Sequence, residues 1–371
     1  MATAWAANHF VALIPVLQED RGYSTTLLAA VFGLYAVGLL PGLFLGGAVS
    51  DRVGRARLAL PGAVVAATGS LILVTWDSPA GLSVGRVVVG LGAGATFSAG
   101  SAWMADLSGA AGATLAGVAL TSGFGGGPVV SGLLAATAPA PLVTPYVVSM
   151  CLSVAGVAWC VASRRASGGS PTAEIVAARP GSAVEAEPVG DGRRATRTAL
   201  AWAIPIAPFV FTSAAVGVFS VPARLPAGDH GPLFTGLAAG VVLGSGLLAQ
   251  FLARRRGRPY GVLGLFTSFV GLGALALVGE HGSVALLVAI AILLGVAYGL
   301  CLHAGLSDVD RWTPAAVRGG VIGGFYVATY LGFGVPLLLE WLEPHWGPHV
   351  PLALLASAAV VVAVVRLLRR P

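Results

Sequence analysis

Residues 46–62 read GGAVSDRVGRARLALPG, and Asp51, Arg52, Arg55 and Arg57 crowd together there between two long apolar runs. On a helix Asp51 lies one turn beyond Gly47 on the same face, and Arg55 can reach back to carboxylates. Gly54 permits the tight turn that would join two helices at this point. Charges so arranged can clasp a neighbour and release it, but they offer no nucleophile and no paired general acid and base. Other residues able to do chemistry are sparse. Arg86 falls within an apolar run, where a guanidinium is costly unless paired or wetted, so it is a site candidate by default; the alternative is that it snorkels to headgroups. His9, beside Asn8, can change charge near neutral pH, although a buried, neutral, hydrogen-bonded histidine is the plainer reading. Cys151, Cys160 and Cys301 lie in apolar runs without metal-ligand spacing and read as inert packing residues.

The elements that position these residues follow from composition. Of 371 residues, 56% are hydrophobic and only 10% charged, with a mean hydropathy of +0.87. A soluble domain carries about a quarter charged residues, so this excess of apolar surface belongs in lipid. Apolar runs long enough to span a bilayer as helices fall at roughly 25–47, 57–76, 82–105, 114–139, 144–163, 197–221, 232–253, 260–279, 283–304, 318–341 and 349–368. Residues 1–17 are counted as a twelfth, short helix; no basic segment precedes them, so they are not read as a signal peptide. All 21 basic residues are arginine. With residue 1 inside, Arg21 and Arg224 alone fall in outer connections and Arg86 in a span, while every other arginine is cytoplasmic, as the positive-inside rule requires. The arginines therefore set topology, and nucleic acid is not an expected partner. Residues 164–196 are rich in Gly, Pro, Ala and charge and read as a flexible cytoplasmic linker. They divide a six-helix bundle at 1–163 from another at 197–371. The halves echo each other: a shift of 203 places Gly33 on Gly236, Gly54 on Gly257 and Arg55 on Arg258. Related halves imply pseudo-two-fold symmetry with a site between them.

Gly47-x-x-x-Asp51-Arg52-x-Gly54-Arg55 resembles the loop motif of the major facilitator superfamily, G-x-x-x-D-R-x-G-R-R, with Ala56 in place of the last arginine. The resemblance extends to twelve spans and a long central loop, and it implies an all-α membrane protein of two six-helix bundles. In the family the motif acid faces the start of span 11. Here Asp51, Arg55 and Asp106, at the inner end of span 4, are expected to form a latch that is closed when the central cavity opens outward. Arg86-x-x-x-Gly90-x-Gly92 resembles the R-x-x-x-G pattern of span 4 in these transporters. Gly123-x-x-x-Gly127-Pro128-x-x-Ser131-Gly132 is similar to the G-x-x-x-G-P-x-x-G-G motif of the antiporter branch, with Ser131 replacing a glycine. Glycines four apart present a flat packing face, and Pro128 is expected to kink span 5. This motif favours export over import.

In the superfamily, spans 3, 6, 9 and 12 face lipid and the others surround the cavity. Tyr35, Phe209, Thr212, Tyr298, Tyr326 and Tyr330 are the candidate cavity residues, and an aromatic cavity with few charges suits an amphipathic solute. No carboxylate occupies the middle of any span, which leaves His9, Asn8 and Arg86 as candidates for coupling transport to protons. The chain is therefore expected to be a monomeric, multi-pass protein of the cell membrane with both termini cytoplasmic, exporting a small-molecule substrate by alternating access. It needs no cofactor and no metal, and it lacks the clustered groups an intramembrane enzyme would require. The competing readings are a proton-linked importer or facilitator, and a non-transporting sensor of the same fold.

Overall fold

The computed structural model describes residues 1–166, 189–225, 231–278, 282–313 and 315–368. The chain divides into two compact units: Met1–Ala183 with Gly231–Gly236, and Val184–His230 with Leu237–Pro371. Of the expected linker, residues 167–188 lie outside the described residues, 164–166 close one helix and 189–196 open another. Among the described residues, eleven stretches are long and apolar enough to cross a membrane, close to the eleven runs read from sequence.

The first unit holds α1 (Ala2–Arg21), α2 (Thr25–Val53), α3 (Arg55–Thr75), α4 (Pro79–Gly109), α5 (Thr114–Thr137) and α6 (Thr144–Ala166). Local signals set their ends. Ser24 and Ser78 accept hydrogen bonds from the amides of Leu27 and Gly81, capping α2 and α4. Gly22 takes the left-handed conformation that closes α1. α4 gives way to α5 at Ser108 and Gly109, where Gly109 sits at φ 57°. Pro128 lies within α5, yet the backbone stays helical through it.

α1 is the most enclosed helix of this unit: Ala4, Ala7, Phe10, Val11, Ala12 and Leu13 have no exposed surface. α4 lies against α2 on one side and α3 on another, and glycines let the backbones touch. A methyl added at Gly38 would stand 2.8 Å from the carbonyl carbon of Val87, and one at Gly90 2.8 Å from the amide of Leu39. Gly92 stands as close to α3, 2.9 Å from the Cα of Ala66 by the same measure. In lipid no hydrophobic force drives helices together, so small residues that allow close van der Waals packing take over that task.

The second unit holds α7 (Val189–Ala203), α8 (Ala207–Phe219), α9 (Pro232–Arg256) from Leu237 onward, α10 (Gly261–Val278), α11 (Val284–Trp312), α12 (Ala315–Tyr330), α13 (Val335–Trp346) and α14 (His349–Leu368). Two spans read as continuous from sequence are interrupted. The span at 197–221 breaks between α7 and α8, where Pro205 supplies no amide for the helical ladder. The span at 318–341 passes through a 3₁₀ turn at Leu331–Gly334 between α12 and α13. There Gly332 backs onto α8, and an added methyl would lie 3.0 Å from the Cβ of Phe211. The core of this unit gathers Ile206, Val210, Leu265, Cys301, Ala304 and Phe325. Backbone contact through glycine recurs between α9 and α11, where a methyl on Gly299 would stand 2.9 Å from the Cα of Gly246.

Candidate functional site

α2 ends at Val53 because Gly54, at φ 102°, turns the chain directly into α3. That turn places Arg55 beside Asp51, with Nη2 to Oδ1 at 2.8 Å, and within 3.4 Å of Asp106 at the end of α4. Arg55 also donates to the hydroxyl of Ser50, which in turn donates to the carbonyl of Gly47. The three residues read from sequence as a latch thus share one network drawn from α2, α3 and α4. Arg52 is exposed. Gly47 makes only an ordinary contact with Ser98; the close approach falls to its neighbour Gly46, 3.1 Å by the added-methyl measure from Ala95 Cα. The two carboxylates are more than half exposed. Exposed pairs of this kind contribute about 0.2–1 kcal/mol each, so this network is cheap to open and close.

Arg86 has a different setting. It has no exposed surface, so the snorkelling alternative fails. Its Nη1 donates to the carbonyl of Ala7 at 2.9 Å and its Nη2 to that of Phe32 at 3.3 Å. The guanidinium also lies over the rings of Phe10, Phe32 and Tyr35, at 5.0, 6.0 and 4.8 Å from their centroids. These π faces and carbonyls offset part of the desolvation, but no carboxylate pairs with it among the described residues. His9 is equally buried. Its Nδ1 lies 3.2 Å from the hydroxyl of Ser149, and its ring meets Tyr146 edge-on at 4.4 Å. Asn8 reaches the carbonyl of Phe124 at 3.5 Å. Sequence reading missed Tyr146 and Ser149, which sit on α6, a span assigned to lipid.

Gly123 and Gly127 of α5 turn toward α1. An added methyl would meet the Cβ of Ala4 at 2.7 Å from Gly123 and the Cα of Trp5 at 2.9 Å from Gly127. Trp5 donates from its indole nitrogen to the hydroxyl of Ser131 at 2.7 Å, so the residue that departs from the motif supplies a buried hydrogen bond. Pro128 and Gly132 are buried on the same helix.

In the second unit the aromatic residues gather around a ring the sequence reading did not single out. Phe211 stacks on Tyr330 at 4.7 Å and on Tyr298 at 5.8 Å, with Phe333 at 5.0 Å. Tyr326 lies 6.3 Å from Tyr330. All five are only partly buried. Phe209 and Thr212 are buried instead, Phe209 in the core of the unit and Thr212 where α8 backs onto Gly332; Tyr35 belongs with Arg86. A second unread group is Asp308 of α11 and Arg366 of α14, paired at 2.7 Å with both side chains at most 10% exposed. Arg366 also donates to the carbonyl of Trp202. The repeat could have flagged Asp308, since it stands 202 positions after Asp106, one short of the 203-residue shift. Among the described residues no three His, Cys, Asp or Glu side chains gather as metal ligands.

The family model of the Major Facilitator Superfamily matches residues 1–257 of this chain. The chain belongs to the major facilitator superfamily. Its members here are transporters, not enzymes. Multidrug resistance protein MdtL of Klebsiella pneumoniae (strain 342) is 30% identical over 93 residues, and MdtL of Escherichia coli O45:K1 matches over the same length at the same identity. Each match spans about a quarter of this chain and about a quarter of its relative. Among solved structures, a peptide transporter POT superposes with a TM-score of 0.79 at 14% identity, covering 99% of this chain and 91% of that one. The inward-open xylose transporter XylE from E. coli gives 0.66 at 15%, covering 100% and 93%. These likenesses establish the major facilitator fold, a multi-pass membrane protein.

Proposed function

We propose that this major facilitator exports small amphipathic molecules by alternating access, in exchange for protons. Three observations support the reading. The Gly123–Gly132 segment of α5 follows the antiporter pattern, with Gly123 and Gly127 packed closely on α1, and this is the observation that carries the choice of export. The partial likeness to MdtL, a multidrug resistance protein, points the same way. The half-buried rings of Phe211, Tyr298, Tyr326 and Tyr330 offer flat apolar surface with a few hydroxyl groups, which suits amphipathic solutes. In this reading Asp51, Arg55 and Asp106 are a conformational latch that opens and closes with the transport cycle, assisted by Arg52, Gly47 and Gly54. The protein is a monomer of the cell membrane with both termini cytoplasmic, built as two six-helix bundles, the first closing with α6 and the second opening with α7.

The test uses the purified full chain in oriented vesicles under a set proton gradient, scanned with a panel of fluorescent lipophilic compounds. Accumulation in inverted vesicles driven by inward acidity is the expected outcome. Uptake confined to right-side-out vesicles would favour the importer, and ligand binding without flux would favour the sensor.

A further inference from the structure

The Arg86 cluster carries a property that the proposed export mechanism does not use. An uncompensated charge buried in the membrane interior is costly, and such charges are normally paired or wetted. Arg86 spends Nη1 and Nη2 on two carbonyls, while its Nε has no partner. Around it, two further buried polar atoms lack hydrogen bonds: Nε2 of His9 and the hydroxyl of Tyr146. His9, Tyr35 and Tyr146 all lie within electrostatic reach of the guanidinium. Buried groups left unsatisfied in this way are costly, and three of them around one guanidinium call for a partner that the surrounding packing does not supply.

The hydrogen bonds also fix what that something must be. The hydroxyl proton of Ser149 is committed to the carbonyl of Tyr146 at 3.1 Å. With that proton so placed, Nδ1–H of His9 donates to Ser149, and in that tautomer the neutral ring presents a lone pair at Nε2. Arg86 Nε and the Tyr146 hydroxyl are donors. One charge and two donors call for an anion, and the lone pair beside them calls for a proton. Of the other titratable or charged groups, Arg86 of α4 and Tyr146 of α6 face His9, and Tyr35 of α2 lies against Arg86; the span of α5 holds none, and those of α3 are Arg55 and Arg57 at its first turn. The geometry points to a buried site for a small monovalent anion, taken up together with one proton: Arg86 and Tyr146 hold the anion, and His9 Nε2 receives the proton. Uptake of a weak acid HA then balances as A⁻ on Arg86 and H⁺ on His9. In this conformation neither Arg86 nor His9 has any exposed surface, so exchange with solvent requires the surrounding helices to part.

The test is binding, read without flux, so it succeeds or fails independently of the export assay. The detergent-purified full chain is titrated with chloride or with acetate in a sulfate background, and thermal stabilisation gives Kd. Saturable stabilisation by at least one anion is expected, at least about tenfold tighter at pH 6 than at pH 8, because uptake of one proton changes affinity by up to tenfold per pH unit. A response to chloride alone identifies a halide site, and one to acetate a carboxylate site. Tyr146→Phe should weaken binding severalfold at both pH values, His9→Gln should leave it without pH dependence, and Arg86→Gln should abolish it. No saturable response to either anion overturns the proposal, and so does binding in wild type that ignores pH. If Arg86→Gln does not fold, an unchanged Kd in Tyr146→Phe overturns it equally.

Discussion

Asp308 and Arg366 show what a pair of side chains can do once water is removed. Their charges meet at 2.7 Å with almost no exposure, and Arg366 stacks on Trp202 as well, its guanidinium carbon 5.1 Å from the ring centroid. One pair therefore ties α7, α11 and α14 together. Removing one partner leaves the other charge buried alone, which costs about 3–5 kcal/mol, whereas replacing both by apolar residues is often neutral. Asp308→Ala should accordingly lower the thermal melting temperature of the purified protein sharply, and Asp308→Leu with Arg366→Leu should recover most of the loss. Equal melting temperatures for the single and double variants would assign the pair no structural weight. The Asp51–Arg55–Asp106 network contrasts with it: the same chemistry, left half in solvent, contributes little to stability.

At the scale of elements, α4 is the part on which the first unit is assembled, and its glycines decide how closely its neighbours approach. One substitution therefore has opposite signs at two sites. At Gly90 an added methyl would strike the backbone of α2, and overpacking of this kind costs about 1–3 kcal/mol or more. At Gly117, on exposed α5 surface, a methyl meets nothing within 4 Å, and alanine is the better helix former by about 0.5–1 kcal/mol. Gly90→Ala should reduce folded yield and melting temperature, while Gly117→Ala should hold or raise both. Similar losses in the two variants would contradict backbone contact between α2 and α4.

For the whole molecule the prediction concerns motion. Because the Arg55 network is worth no more than about 1 kcal/mol per exposed pair, Asp51→Asn should leave membrane abundance and melting temperature nearly unchanged. A fall in transport rate of roughly tenfold, equivalent to about 1.4 kcal/mol in the barrier, then has to come from the conformational cycle. Flux measured at matched abundance checks this, and a wild-type rate would remove the latch from the mechanism.

What the residues determine alone are properties of contiguous sequence. Runs of apolar residues give the spans, since hydrophobic length is read along one helix, and α2 through α6 fall close to where they were placed. The Gly54 turn was legible because a positive φ is a local demand, and that turn is what carries Arg55 back to the carboxylate of Asp51. Tertiary structure decided everything that depends on the phase and packing of separate helices. The carbonyls that hold Arg86 come from positions 79 and 54 residues away. Phe211 rather than Phe209 joins the tyrosines, because two positions along a helix turn a side chain to nearly the opposite face. Asp308 found its base on α14, and no spacing in the chain relates those two positions. A charge in sequence announces its cost; only the fold supplies, or withholds, the partner.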